Sequence, residues 1–244
     1  MTKFTPIPIL LRAAFVCLAV TATANATPLI LNGGFESGFA SWTRVDQLGS
    51  EGTFSLQTGT LSPVSGGTVP APPQGATAAM TDALGPGAHL VYQDFLVPAE
   101  SALLTFSLFI GNRANVFATP PTLDFSTPAL NQRARVDIVR PGLDPFTLAP
   151  ADIVLNLYQT QVGSPLITGY TNFSFDLTSL FAANVGQTLR LRFAETDNIN
   201  TFQFGVDNVS LETGAATVPE PGSTLLLCSG LLALLTFRHR IAQG

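Results

Sequence analysis

Histidine is the side chain that most often moves protons near neutral pH, and ahead of residue 215 this chain has one, His89. A lone histidine without a paired nucleophile predicts a structural role. No serine stands in a Gly-x-Ser-x-Gly elbow, the strand-to-helix turn that lifts a nucleophile clear of a sheet. Aspartate and glutamate are numerous enough for a glycosidase pair, but no spacing holds two of them to one site. The residues therefore predict no catalytic site and no enzyme. Cys17 and Cys228 both lie near the ends, so the part between them has neither a disulfide framework nor a thiolate zinc site. Recognition remains. Rings that stack on the apolar faces of pyranoses are the chemistry to seek, and the candidates are Trp42, Tyr92, Tyr158 and Tyr170. Trp42 reads as core and the three tyrosines as half-buried strand residues, so no sugar site is assigned.

The elements that must position any site are strands. Leu189, Leu191 and Phe193 alternate with Thr188, Arg190 and Arg192. The same period of two runs through Asn172 to Leu177 and Arg133 to Ile138, as half-buried strands require. Further strands are expected at Leu29–Leu31, Trp42–Val45, Thr53–Gln57, Thr77–Thr81, Leu90–Val97, Leu103–Ile110, Ile153–Tyr158 and Phe202–Leu211, with one short helix at Thr178–Asn184. Leu103–Ile110 is nearly continuous apolar and belongs in a central position. Many antiparallel strands with one helix predict an all-β, two-sheet sandwich. Two stretches rich in Pro, Thr and Ser, Gly59–Gln74 and Asn112–Asn131, read as long loops. Along the last strand, Phe202, Phe204 and Val206 share one parity and Val209 and Leu211 the other. A bulge near Gly205–Asp207 would switch the inward face in this way and re-aim Asp207 toward the first strand.

Charge narrows the partners. The formal net charge is −5, and between the two ends there is no lysine, only Arg44, Arg113, Arg133, Arg135, Arg140, Arg190 and Arg192. An acidic surface of this kind disfavours nucleic acid and suits neutral ligands or divalent cations.

Both ends carry instructions for a membrane. Lys3 and Arg12 precede an apolar run from Ala13 to Ala24, which closes on Ala24-Asn25-Ala26, the order of a secretory signal with cleavage after Ala26. Signal peptidase is then a processing partner, and residues 1–26 form the signal ahead of one exported domain, 27–217. At the other end Val218-Pro219-Glu220-Pro221 breaks the chain, Ser223 to Phe237 carries no charge, and Arg238-His239-Arg240 follows. At 1.5 Å per residue this helix would reach about 22 Å against a hydrocarbon core of about 30 Å, a marginal transmembrane span at 223–237 with a basic tail at 238–244. The arginines place that tail in the cytoplasm and the domain outside.

The Pro219-Glu220-Pro221 break, the leucine-rich helix and the basic cluster together resemble the PEP-CTERM sorting signal, over about the last 27 residues. That resemblance implies that the chain is a substrate of an exosortase. It implies export across the inner membrane of a Gram-negative bacterium, transient anchoring, and delivery to the cell surface or extracellular matrix. A second resemblance covers the exported domain. Leu31-Asn32-Gly33-Gly34-Phe35-Glu36-Ser37-Gly38, followed by Trp42, and the closing Val206-Asp207-Asn208-Val209-Ser210-Leu211 are similar to the first and last strands of galactose-binding-like jelly rolls, a fold shared by carbohydrate-binding modules. It implies a structural calcium held by Glu36 and Asp207, with backbone carbonyls or water completing six to eight oxygens. The expected function is non-catalytic recognition or scaffolding of extracellular polysaccharide in a biofilm. The rivals are a protein-binding adhesive module and a hydrolase.

Overall fold

A computed structural model describes residues 27–142 and 144–214. The signal (with Ala24 and Ala26), the Pro219-Glu220-Pro221 motif and the span at 223–237 lie outside the described residues. Among those described, no helix is long and apolar enough to cross a membrane. Eleven strands and one helix follow in order: β1 (Thr27–Pro28), β2 (Thr43–Asp46), β3 (Thr53–Thr58), β4 (Thr77–Asp82), β5 (Gly87–Leu96), β6 (Ser101–Asn112), β7 (Gln132–Val139), β8 (Ile153–Gln159), β9 (Thr171–Asp176), α1 (Thr178–Ala183), β10 (Thr188–Asp197) and β11 (Phe202–Gly214). One sheet runs β3-β4-β11-β6-β9, with β1 beside the end of β11, and the other runs β2-β5-β10-β7-β8. Every pairing is antiparallel, giving the all-β two-sheet sandwich expected of a jelly roll.

The period of two fixes the core. Leu189, Leu191 and Phe193 of β10, Ala134, Val136 and Ile138 of β7, and Leu104, Phe106, Leu108 and Ile110 of β6 meet between the sheets in one buried cluster. Phe106 and Phe193 close it edge-on at 5.5 Å between ring centroids. Each such side chain stabilises the fold by roughly 1.5–3 kcal/mol on burial.

The outer faces depart from expectation. Alternation predicts Arg133, Arg135 and Asp137 in water, yet every residue of β7 is buried. Arg190 and Arg192 are buried as well. The reason is remote in sequence: the loop at 113–131 and the segment 140–152 fold back over this sheet, with Leu123, Phe146 and Leu148 against Leu90 and Ala194. The covering chain offers carbonyls to the guanidiniums. Arg133 donates to Pro120 O, and Arg192 donates to Pro145 O at 2.7 Å and Thr147 O at 3.0 Å. Burial pushes the Arg133 guanidinium down to about 10, and the neighbouring charge of Arg135 pushes the same way. Asp137 has lost its water too, but hydrogen bonds from Arg135 and the charges of Arg192 and Arg135 hold it below the usual carboxylate range. The loop at 59–74 covers the opposite sheet in the same manner, with Val69 on Met80 and Phe109. Its tip is fastened where Asp82 accepts the backbone N–H groups of Val64 and Ser65 at 2.9 and 2.7 Å. This cover explains why Phe109 on the outer face of β6 is apolar, whereas Leu103, farther along the same face, is left half exposed.

The first strand is displaced. It pairs at Thr27–Pro28 rather than over Leu29–Leu31. At Leu31 a side chain replaces the strand neighbour, because Gln93 accepts from Leu31 N at 2.8 Å and donates to Leu31 O at 3.0 Å. Thr27 lies opposite Thr213, so the described chain enters and leaves the sandwich at one pole.

Candidate metal centre

The segment after Leu31 is a closed turn organised by one amide. Asn32 Nδ2 donates to Gly38 O and Ala40 O at 2.9 and 3.0 Å, while its Oδ1 accepts from Ser37 N at 3.1 Å. Trp42 Nε1 donates to Asn32 O at 3.0 Å, and the indole stacks on buried Phe35 at 5.2 Å. Trp42 is core, as its place behind the motif predicts. With Phe35 driven inward, its chain neighbour Glu36 is left exposed at the rim. Gly33 is required by contact: a Cβ there would stand 1.7 Å from Val209 O. This close approach seats the turn on β11.

On β11 the register against β6 breaks between Asp207 and Ser210, and Asn208 takes φ +52°. The bulge expected from the parity switch is present, one residue later than its sequence position. It presents Asp207, fully buried, to the turn. A third segment, residues 74–77, joins the two carboxylates. Glu36 Oε1 accepts from Ala76 N (2.8 Å), Thr77 N (2.9 Å) and Thr77 Oγ1 (3.1 Å). Asp207 Oδ2 accepts from Gln74 N at 3.0 Å and its Oδ1 from Asn208 N at 2.6 Å. Backbone N–H groups hold Glu36 below the usual carboxylate range. Asp207 goes the other way, to about 6, because burial outweighs its two N–H donors and the charge of Glu36 adds to it.

Gly34 shows what the arrangement encloses. A Cβ at Gly34 would lie 2.9 Å from Gln74 Oε1 and 3.9 Å from Asp207 Oδ1, so missing side-chain volume leaves oxygens converging there. The oxygens at that gap are one amide and one carboxylate, with the Glu36 carboxylate held on the same 74–77 segment, and all-oxygen donors are the chemistry of a hard cation. Among the described residues no three acidic, histidine or cysteine side chains cluster, so a cation would depend on neutral oxygens such as that amide. In the sequence Gln74 only ended the long loop and Thr77 only opened an expected strand, so neither signalled this role.

The other singled-out residues go elsewhere. Tyr92 lies under Arg190 at 3.7 Å, Tyr158 meets Phe173 at 5.1 Å, and Tyr170 donates to Gln57 Oε1 at 2.8 Å. His89 is buried with Nδ1 2.7 Å from Asp46 Oδ1. Opposite it on β10 stands Glu195, buried, with Oε1 lacking a hydrogen bond, and Asp197 follows on the same face. Burial raises Glu195 well above its ordinary value and lifts Asp197 to about 7. A shallow groove of about 590 Å³ at the side of the sandwich is lined by Phe39, Trp42, Thr43, Arg44, Asp46 and Thr53.

Fold and site define a two-sheet jelly-roll sandwich that joins its first turn to its last strand through carboxylates. Residues 217–240 match the PEP-CTERM protein-sorting motif, so this chain carries that motif. No curated protein matches it. Among solved structures it is similar to the K3 cleaved adhesin domain of Lys-gingipain from Porphyromonas gingivalis W83, at 16% identity over 78% of this chain and 100% of that one, TM-score 0.47. It is similar to TmCBM61 in complex with beta-1,4-galactotriose, at 12% identity over 76% and 97%, TM-score 0.42. It is also similar to a Stig cyclase, Fisc, from Fischerella sp. TAU, at 18% identity over 78% and 100%, TM-score 0.44. Likeness of this size carries no argument about activity.

Proposed function

We propose that this chain is an exported, exosortase-processed protein of a Gram-negative surface, and that its sandwich is a non-catalytic module recognising or scaffolding extracellular polysaccharide in a biofilm. The observation that supports it is the sorting motif at 217–240, following directly on a sandwich whose first and last strands lie side by side. Anchoring by the C-terminal segment would place that pole toward the membrane. The groove beside Phe39 is where a sugar would rest, since an aromatic ring, a guanidinium, a carboxylate and hydroxyls meet there. On a glycan array, the full chain in detergent is expected to enrich a family of neutral polysaccharide fragments and Phe39→Ala to lose them. Absence of enrichment on any sugar would remove this half of the reading.

Calcium belongs to the same proposal. Glu36, Asp207 and Gln74 would hold it, and bound calcium would neutralise two facing carboxylates and tie the first turn to β11. At a hundredfold excess over the dissociation constant it should add about 2.7 kcal/mol of stability. An unchanged melting temperature between chelator and excess calcium would dismiss the site.

A protein-binding adhesive without sugar affinity is the second reading. It is favoured by the engagement of all three tyrosines in contacts within the domain. Turnover of glycosidic or ester substrates would instead return a hydrolase.

A further inference from the structure

A sandwich has four edges, and unpaired strand edges invite other chains unless something blunts them. Three are blunted here. On β3, Phe54 O accepts from Arg44 at 2.8 Å, and the chain doubles back at once through the Thr58–Leu61 bridge. β2 has four residues, two of them Arg44 and Asp46. β8 slips register twice against β7.

The fourth edge, β9, has no such device. Its sequence Thr-Asn-Phe-Ser-Phe-Asp holds no proline or basic residue, and its register against β6 is unbroken from Leu108–Thr171 to Leu103–Asp176. Leu177 N donates to Ala102 O at 2.9 Å, which fixes the alternation: Phe173 and Phe175 bond to β6, while Asn172, Ser174 and Asp176 turn their N–H and C=O groups outward. Among the described residues no hydrogen bond reaches those outward groups.

We propose that β9 pairs antiparallel with β9 of a second copy of this chain, centred on Ser174. Two copies have the same face inward only when paired positions share parity, and centring on Ser174 uses all three outward-turned residues. Ser174 then exchanges both backbone bonds with its counterpart, and Phe173 faces the partner's Phe175 on the core side. Asn172 stands opposite the partner's Asp176. The pair is complementary: Asn172 Oδ1 already accepts from Ser107 Oγ at 2.7 Å, which leaves its NH2 to donate, and Asp176 is an acceptor. No like charges meet.

The two-fold axis reverses the strands, so the tail-bearing poles of the two copies point in opposite directions. Paired copies would therefore bridge opposed surfaces rather than neighbours on one membrane. This bridging rests on the anchoring proposed above, whereas the pairing does not.

The test uses the processed chain, from which cleavage after Ala26 removes Cys17, with Cys228→Ser, which removes the tail thiol. In detergent, sedimentation should give a dimer whose mass falls to the monomer with Ser174→Lys, at an unchanged far-ultraviolet circular dichroism spectrum, because two ammoniums would then face each other across the axis. A monomer throughout a concentration series of the natural sequence would overturn the pairing. Differently tagged chains are then placed in two vesicle populations, mixed and oxidised. Ser174→Cys should give a cross-linked pair between populations several-fold above Leu56→Cys on β3. Equal yields would overturn the bridging, while a dimer in detergent would still uphold the edge.

Discussion

Two acidic pairs, one joining the first turn to β11 and one on β10 of the other sheet, meet different fates. Glu36 and Asp207 lie where a turn, a bulge and residues 74–77 converge, and five hydrogen-bond donors, four of them backbone N–H groups, reach their oxygens. Glu195 and Asp197 point between the sheets beside His89 and Asp46, where Gly87 N reaches Asp197 at 2.8 Å and Glu195 keeps one oxygen without a partner. In the first pair backbone donors hold Glu36 charged, while burial lifts Asp207 only part of the way, to about 6. The second is arranged to keep its protons. Carboxylates do not carry a role with them; the backbone donors and water around them set it.

The largest expected effect tests the second pair. Asp197 has a folded value of about 7 against about 3.9 unfolded, so its contribution is present below about pH 4 and lost as pH rises through 7. Glu195 acts with the same sign, facing His89 from β5 and Thr81 from β4. Urea unfolding from pH 4 to 8 should show stability declining with pH, and Glu195→Gln with Asp197→Asn should flatten most of that slope. A slope unchanged in the double variant would mean that both pairs behave alike. Next comes Asp207→Ala, which strips the acceptor from Gln74 N and Asn208 N and should cost about 2–3 kcal/mol in the same measurement. Loss of less than about 0.5 kcal/mol would show that the bulge does not need its carboxylate. The smallest effect is that of Glu36→Gln at the rim. Its folded value is lowered, so its contribution is present above about pH 4.5 and disappears as pH falls below that. The variant should therefore lose stability near neutral pH yet match the natural chain in acid. This trend is opposite in sign to that of Asp197.

The strands were legible because Leu189, Leu191 and Phe193 alternate without interruption. The same alternation hid the buried acids. Glu195 and Asp197 continue its inward parity, so a strand read as ending at Phe193 leaves them out, while β10 runs to Asp197. Arg133 and Arg192 were misplaced for a different reason: the chain that covers them is distant in sequence, and alternation reports one sheet face without saying what lies on it. The bulge was legible from parity, since Phe204 and Val209 cannot both point inward on a regular strand. Glu36 and Asp207 came from resemblance, and the structure brings them to one place through residues 74–77, which have no periodicity to announce them.

The strand that runs on toward the sorting motif is β11, and it is flanked on both sides, by β6 along its length and by β4 and β1 on the other flank. Tension on the C-terminal end would thus load the middle of a sheet in shear, stretching many ladder bonds at once. A strand at the margin would peel one bond at a time. A pull on that end would be shared across the sheet through β6, β4 and β1.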